Sequence, residues 1–468
     1  MCAPPTRRST RRPTQLTGNS ASAYSPRIIE RPGRRTGATP GCMRESRMIR
    51  RTWQNIDLDA WQQACTEDPQ LQEFLIAADV TFGLRSADQS VQFVCRDGQL
   101  QGARSDQPDS ADFTLSAAPE DWSKFFQAVP PPSYQNFFGM RMRVASAAVE
   151  GSELAMAQHI QIARRVLEIG RMTANGGTSG KPDTGPDVPA ASKAAIRSGY
   201  VQIETGQGPL DIFYETAGQG PDVLLLHTAG ADGRQYHDVM TDPLLTSRCR
   251  LVTFDLPGHG RSDMIPGAAF GSYSLTTDYY ADTVFAVIDA LQLHTPVVSG
   301  SSMGGEICLE AALRAAGRLR GVIACSATDH VPGRRVPWAR NPQVDETVFV
   351  PEWVYGLMSP TSPERYRRKV WWGYSQGGFN TFKGDIDFYS GEWDARERVA
   401  QIDTRDCPVV MMTGEYDYSC TPAMSAATAS RIPGATFWEM AGQGHFSMAE
   451  NPPLFAEYFI RALDHLGV

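Results

Sequence analysis

Three residue types that together can open a carbonyl group stand far apart along this chain: Ser302, Asp417 and His445. A serine hydroxyl is a weak nucleophile until a neighbouring base takes its proton. An imidazole can take it, and a carboxylate bonded to the other ring nitrogen fixes the tautomer and stabilises the cation that forms. Ser302 lies in Gly300-Ser301-Ser302-Met303-Gly304-Gly305. The Gly-x-Ser-x-Gly pattern puts small residues where the chain turns sharply and leaves the hydroxyl exposed on a strained turn. Among the eight histidines, His445 sits in a glycine-bearing loop, Ala441 to Phe446, directly after the last strand the sequence predicts. His227 and His259 read as packing or turn-forming residues. His237, His294, His330 and His465 lack comparable surroundings, and His159 reads as a partly buried helix residue. The preferred acid is Asp417, at the end of Val409 to Thr413, with Glu415 and Asp329 as alternatives. The developing oxyanion needs two backbone donors. The expected ones are the N–H groups of Met303 and Ala229, each worth about 3–4 kcal/mol of barrier.

These residues need a scaffold that brings them to one edge. From residue 199 onward, strand and helix patterns alternate, the mark of a parallel sheet with helices on both faces. Strands are predicted at Leu210 to Glu215, Val223 to His227, Leu251 to Phe254, Val297 to Ser299, Leu319 to Ala324, Val409 to Thr413 and Thr436 to Met440. Helices are predicted at Thr277 to Leu291, Met303 to Ala316, Pro422 to Arg431 and Pro453 to Leu466. Residues of about 329–398 break the alternation and carry Trp338, Trp353, Trp371, Trp372 and Trp393, five of the nine tryptophans. That insert is expected to cover the strand ends as a helical lid, and some of its rings would form its own core.

The remaining chain divides by composition. Residues 1–51 hold twelve arginines, no lysine and only Glu30 and Glu45 as acids. They are expected to be a disordered extension, with the natural start at Met43 or Met48; an Arg-rich targeting peptide and a nucleic-acid arm are the other readings. Residues 52–172 read as a small α+β domain. It has helical spacing from Trp53 to Ala78, strands at Val80 to Leu84, Ser90 to Cys95 and Ala111 to Leu115, and an Asp97-Gly98 turn. A helix starts at Pro119, a last strand is read at Arg141 to Val144, and a long helix at Glu153 to Ile169. Residues 173–198, rich in Gly, Ser, Thr and Pro, read as a flexible linker. The net charge of −8 offers no case for nucleic-acid binding. No apolar run approaches the ~18 residues of a membrane helix. The nine cysteines lack Cys-x-x-Cys spacing and fit reduced thiols in a cytoplasm better than disulfides or zinc.

The order of Leu226-His227-Thr228-Ala229-Gly230, Phe254-Asp255-Leu256-Pro257-Gly258-His259-Gly260-Arg261-Ser262-Asp263, the Ser302 run, Gly414-Glu415-Tyr416-Asp417 and Gly442-Gln443-Gly444-His445-Phe446 resembles the α/β-hydrolase superfamily. Thr228 departs from it, standing where the family usually has glycine. The resemblance implies an α/β-hydrolase fold: a mostly parallel central sheet, helices on both faces, a helical lid, and here a small α+β domain in front. It also implies the order Ser302, Asp417, His445, and no metal or organic cofactor. A serine nucleophile argues against the epoxide-hydrolase and haloalkane-dehalogenase branches. Ser-Met-Gly-Gly is similar to carboxylesterases, enol-lactone hydrolases and carbon–carbon hydrolases. The expected reaction is hydrolysis of a carboxylic ester or lactone of an apolar small molecule. The alternatives are carbon–carbon cleavage of a ring-fission-type ketone and a ligand-binding protein without catalysis. In the first domain, Asp97-Gly98-Gln99-Leu100, Ala111 to Leu115, Glu120-Asp121-Trp122 and the final helix resemble the sterol-carrier-protein-2 fold. That resemblance implies a cavity or a surface through which two copies could pair as a homodimer.

Overall fold

A computed structural model describes residues 56–87, 89–104, 110–177, 194–269, 271–335, 341–376 and 380–468. The arginine-rich extension, Trp338 and most of the expected linker lie outside the described residues. In the first region, helices α1 (Leu58–Glu67) and α2 (Pro69–Leu75) precede strands β1 (Val80–Ser86), β2 (Gln89–Arg96), β3 (Gln99–Arg104) and β4 (Phe113–Ser116). Helices α3 (Pro119–Phe125) and α4 (Phe137–Arg143), strand β5 (Ala148–Gly151) and helix α5 (Glu153–Ala174) follow. The five strands form one sheet in the order β3-β2-β1-β4-β5. The single helix expected from Trp53 to Ala78 is two. Asp68 ends the first and caps the second, accepting from the Leu71 N–H at 2.8 Å, with Pro69 at the first helical position. Asp97 and Gly98 both have positive φ, 53° and 72°, as a two-residue hairpin turn requires.

One expectation fails here. Arg141 to Val144 is no strand. Asn136 caps α4 by accepting from the Phe138 N–H at 2.8 Å, and Phe137, Phe138 and Met140 turn inward from that helix. The last strand comes later, as β5, antiparallel to β4. The alternation of Arg141-Met142-Arg143-Val144 was a coincidence of helix-end charges with apolar neighbours.

The second region begins with β6 (Arg197–Thr205), whose first two residues fall in the segment expected to be linker, and β7 (Gly208–Gly218). Then come β8 (Asp222–Leu226), α6 (His237–Met240), α7 (Pro243–Thr246), β9 (Arg250–Phe254), α8 (Thr277–Ala290), β10 (Val297–Ser301), α9 (Met303–Leu313) and β11 (Gly321–Cys325). The insert supplies α10 (Glu346–Tyr355), α11 (Glu364–Tyr374) and α12 (Thr381–Asp387). The chain finishes with β12 (Val409–Gly414), α13 (Pro422–Arg431), β13 (Thr436–Met440), α14 (Ser447–Glu450) and α15 (Pro452–His465). The eight strands run β13-β12-β11-β10-β8-β9-β7-β6. From β13 to β9 every pairing is parallel, and β7 and β6 close one edge antiparallel. Strands β8, β10, β11 and β12 are buried throughout, as a sheet covered on both faces must be. Their side chains alternate between two cores: Leu224 and Leu226 face one, Val223 and Leu225 the other, beside Phe455 and Phe459 of α15. This is the α/β-hydrolase fold.

Both sheets belong to one compact unit. A buried ion pair ties them: Arg164 of α5 is 5% exposed and forks onto Glu352 of lid helix α10, which is fully buried and also accepts from the Trp371 indole at 2.9 Å. Removing one partner of such a pair strands the other charge. Glu352→Gln should therefore lower unfolding free energy by about 3 kcal/mol, the low end for a broken buried pair because Glu168 still faces Arg164. Urea denaturation reads this directly, and an unchanged midpoint would contradict it.

Candidate active site

In the order of the large sheet, β8 leads outward to β9 on one side, and β10 leads to β11 on the other. The loops after β8 and β10 therefore part at a topological switch point, where an open α/β sheet leaves a crevice. Ser302 follows β10 and Ala229 follows β8.

The turn at Ser302 is enforced by backbone contact. Ser302 has φ 58° and ψ −123°, a conformation that costs a non-glycine residue on the order of 1–3 kcal/mol. A Cβ on Gly300 would meet the Gly304 carbonyl at 2.4 Å, and one on Gly304 the Leu226 carbonyl at 2.7 Å. Gly305, outside the motif, is as tight: its Cβ would lie 2.4 Å from the Cys325 oxygen. The Ser302 N–H donates to Cys325 at 2.9 Å, and its carbonyl accepts from Glu306 at 2.9 Å, so strand, turn and helix are pinned together.

His445 Nδ1 lies 2.7 Å from Asp417 Oδ2. The other Asp417 oxygen accepts from the N–H groups of Ser419 and Cys420 at 2.8 and 3.0 Å. The carboxylate is thus aimed at one ring nitrogen and held there. The two alternative acids are occupied elsewhere. Glu415 accepts from the Gly442 N–H at 2.9 Å, and Asp329 pairs with Arg431. The Ser301 hydroxyl donates to the His445 carbonyl at 3.2 Å, which sets the histidine loop against the residue beside Ser302. Ser302, His445 and Asp417 are all buried. Tyr389 and Phe446 stand edge-on to the His445 ring, with centroids at 6.5 and 5.0 Å, and Tyr374 and Phe382 continue the aromatic wall.

In the loop after β8 the N–H groups flanking Ala229 are taken up. The Thr228 N–H goes to Gln235 Oε1 at 3.1 Å and the Gly230 N–H to Asp385 Oδ2 at 2.7 Å. Among the described residues, the N–H groups of Ala229 and Met303 meet no acceptor. Thr228, the departure from glycine, fastens this loop: its hydroxyl bonds Gln235 and the Tyr374 hydroxyl of the lid. Asp385, also of the lid, holds His259 Nε2 at 2.7 Å. Burial opposes a charge on His259, yet the Asp385 carboxylate outweighs it and raises the imidazole above its ordinary range. His227 goes the other way, lowered by burial and by His259. Its Nδ1 donates to its neighbour's carbonyl and its Nε2 accepts from the Leu256 N–H, which is a packing role.

Several residues of this site carry no signal in the sequence. Glu450 accepts from the N–H groups of Gly444 and Phe446, on either side of His445, and from Ser359 and Ser362 of the lid. Gln135 donates to the Tyr416 carbonyl at 2.8 Å. Arg143 donates to the carbonyls of Tyr418 and Ser419, each at 2.7 Å. Both come from the first region and grip the loop around Asp417. Gly139 is needed for that approach, since a Cβ there would sit 2.8 Å from the Tyr418 ring. Glu306, one turn past Ser302, is fully buried with neither oxygen bonded, and burial lifts its carboxyl far above the usual range. In the insert, Trp353 and Trp393 are buried and Trp372 is exposed, so its rings are divided between its core and its surface.

With this geometry in hand, residues 221–452 match the family model for the α/β hydrolase fold. Fold and match agree on the α/β-hydrolase fold for this domain. Among curated proteins, the chain is 37% identical over 109 residues to the pimeloyl-[acyl-carrier protein] methyl ester esterase of Methylococcus capsulatus, covering 23% of this chain and 37% of that one. It is 29% identical over 151 residues to the 2-hydroxy-6-oxononadienedioate/2-hydroxy-6-oxononatrienedioate hydrolase of Paraburkholderia xenovorans, covering 32% of this chain and 50% of that one. The chain thus spans half or less of the length of these relatives. A thermophilic esterase from Thermogutta terrifontis superposes with a TM-score of 0.51 at 20% identity, over 58% of this chain and all of that one.

The Glu450 carboxyl generates a prediction. Burial pushes it up to about 7 from an ordinary 4.5, against the pull of its four donors. A carboxyl whose folded pKa exceeds its unfolded one contributes fully below about pH 4.5, and that contribution is lost as pH rises through about 7. Glu450→Gln removes this loss. Its melting temperature should fall less than the wild type's between about pH 5 and pH 8. Parallel melting curves across that range would refute the assignment.

Proposed function

We propose that this chain is a serine hydrolase that cleaves a carboxylic ester or lactone of an apolar small molecule through an acyl-enzyme on Ser302. The observation that carries the reading is the buried Asp417–His445 bond beside the strained turn bearing Ser302. Ser302 Oγ attacks the substrate carbonyl as His445 Nε2 takes its proton. The resulting oxyanion receives the N–H groups of Met303 and Ala229, neither of which meets an acceptor among the described residues. The tetrahedral centre collapses, the alkoxide leaves with the proton held by His445, and Ser302 remains acylated. Water then repeats the sequence, with His445 as its base, and releases the acid. Asp417 keeps Nδ1–H in place throughout and stays ionised.

The aromatic wall of Tyr374, Phe382, Tyr389 and Phe446 supports an apolar substrate. Among the described residues, the cysteines are free and buried and no helix is long and apolar enough to cross a membrane. The free thiols support a cytoplasmic setting. The hairpin, β4 and the long α5 support the sterol-carrier-like reading of the first region. A second reading, cleavage of a carbon–carbon bond next to a ketone, is favoured by the similarity to the 2-hydroxy-6-oxononadienedioate hydrolase.

Ser302→Ala should reduce turnover of p-nitrophenyl esters roughly ten-thousand-fold or more, leaving what binding and the oxyanion donors supply. Undiminished turnover ends the proposal. A ring-fission ketone assayed beside the esters separates the two reactions: preference for the ketone selects the second reading. Arg143→Ala frees the acid loop without touching the reacting atoms. It should lower kcat by about tenfold to a hundredfold with little change in KM. An unchanged kcat would show that the grip on residues 418 and 419 does not position Asp417.

A further inference from the structure

We propose that the cleft between α5 and lid helices α10 and α11 binds a small oxyanion: a molecule carrying a phosphate or several carboxylates. The cavity measures about 240 Å³, below the ~300 Å³ at which drug-sized pockets begin. Gln135, Arg165 and Arg171 line it from the first region, and Tyr355, Arg367 and Arg368 from the lid. Two carboxylates, Glu168 and Glu364, share the wall.

The case rests on charge that the protein leaves unbalanced. Arg165 pairs with Asp68 and Glu168, and Arg164 behind it with Glu352 and Glu168. Arg367 and Arg368 share the single carboxylate of Glu364. Arg171 meets no carboxylate among the described residues. Its Nε donates to the Phe125 carbonyl at 2.8 Å, and its Nη2 to the carbonyls of Tyr134 and Gln135 at 3.3 and 3.1 Å. Among the described residues, no acceptor meets Nη1. Five guanidinium groups thus face four carboxylates in a partly enclosed place. Burial lowers Arg171 to about 10; the Glu168 carboxylate pulls it back up, and Arg367 pushes it further down. Arg367 has a second deficit. Its Nε is buried without a hydrogen-bond partner, a state that costs about 1–3 kcal/mol and that native proteins seldom tolerate without reason.

An oxyanion answers both deficits. The planar fork of arginine matches phosphate and carboxylate oxygens in pairs, and Arg171 of α5 and Arg367 of lid helix α11 both line the cleft. The bound group would bridge the first region and the lid, next to Gln135, whose side chain holds the Tyr416 carbonyl. This inference is independent of the chemistry assigned to Ser302.

The test is calorimetric titration of the full chain with inorganic phosphate, pyrophosphate and citrate at matched ionic strength in chloride. The expected result is saturable binding of at least one of them at one site per chain. Arg367→Gln and Arg171→Lys should each weaken it tenfold or more. Arg405→Gln, an exposed arginine paired only with Asp403, should leave it unchanged. Phosphate or pyrophosphate binding alone assigns a phosphate ester, and citrate binding alone a polycarboxylate. Arg171 also supports three carbonyls, so if Arg171→Lys does not fold, Arg367→Gln decides. No saturable binding of any of the three, or equal weakening by Arg405→Gln, overturns the proposal.

Discussion

Close backbone contact around residues 300–305 is the constraint on which the rest depends. Three glycines let β10, α9, the end of β8 and the end of β11 meet within atomic contact, and the side chain at position 302 is left in a strained left-handed turn. That strain is held by packing on every side: the Cys325 carbonyl below, the Leu226 carbonyl beside, the Glu306 N–H above. An isolated segment would relax it. A sheet buried on both faces cannot, because moving the turn would separate strands whose side chains fill two cores.

Around this fixed point, the other loops are secured by residues distant in sequence. The histidine loop is pinned on both flanks by Glu450. The loop after β8 is fastened to the lid by Thr228, Tyr374 and Asp385. The acid loop is gripped by Gln135 and Arg143, more than two hundred residues earlier in the chain. The first region is therefore a wall of the site as well as a neighbour to it. One ion pair, Arg164 with Glu352, anchors that wall to the lid, so lid and first region reach the candidate triad as one assembly.

The sequence made the local parts of this arrangement readable. Gly-x-Ser-x-Gly after a β-branched run announces its turn because one collision that demands glycine, Gly300 against Gly304, involves residues four apart; those of Gly304 with the end of β8 and of Gly305 with the end of β11 are long-range. His445 was legible because a glycine-bearing loop follows a strand. The pattern preferred Asp417 but left Glu415 and Asp329 as alternatives, since the choice depends on which way a strand-end loop faces. Glu450, Asp385, Gln135 and Arg143 left no trace because each acts through a partner on another element, with no periodicity to reveal it. The false strand at Arg141 to Val144 has the same origin: burial of Phe137, Phe138 and Met140 on a helix face decided the local structure.

In the proposed reaction the strained turn presents Ser302, and not its neighbour Ser301, as the activated nucleophile. Treating the full chain with a fluorophosphonate, followed by peptide mapping by mass spectrometry, addresses it directly. The expected result is one adduct per chain, located on Ser302. An adduct on Ser301, or none under conditions that label a known serine hydrolase, would contradict it.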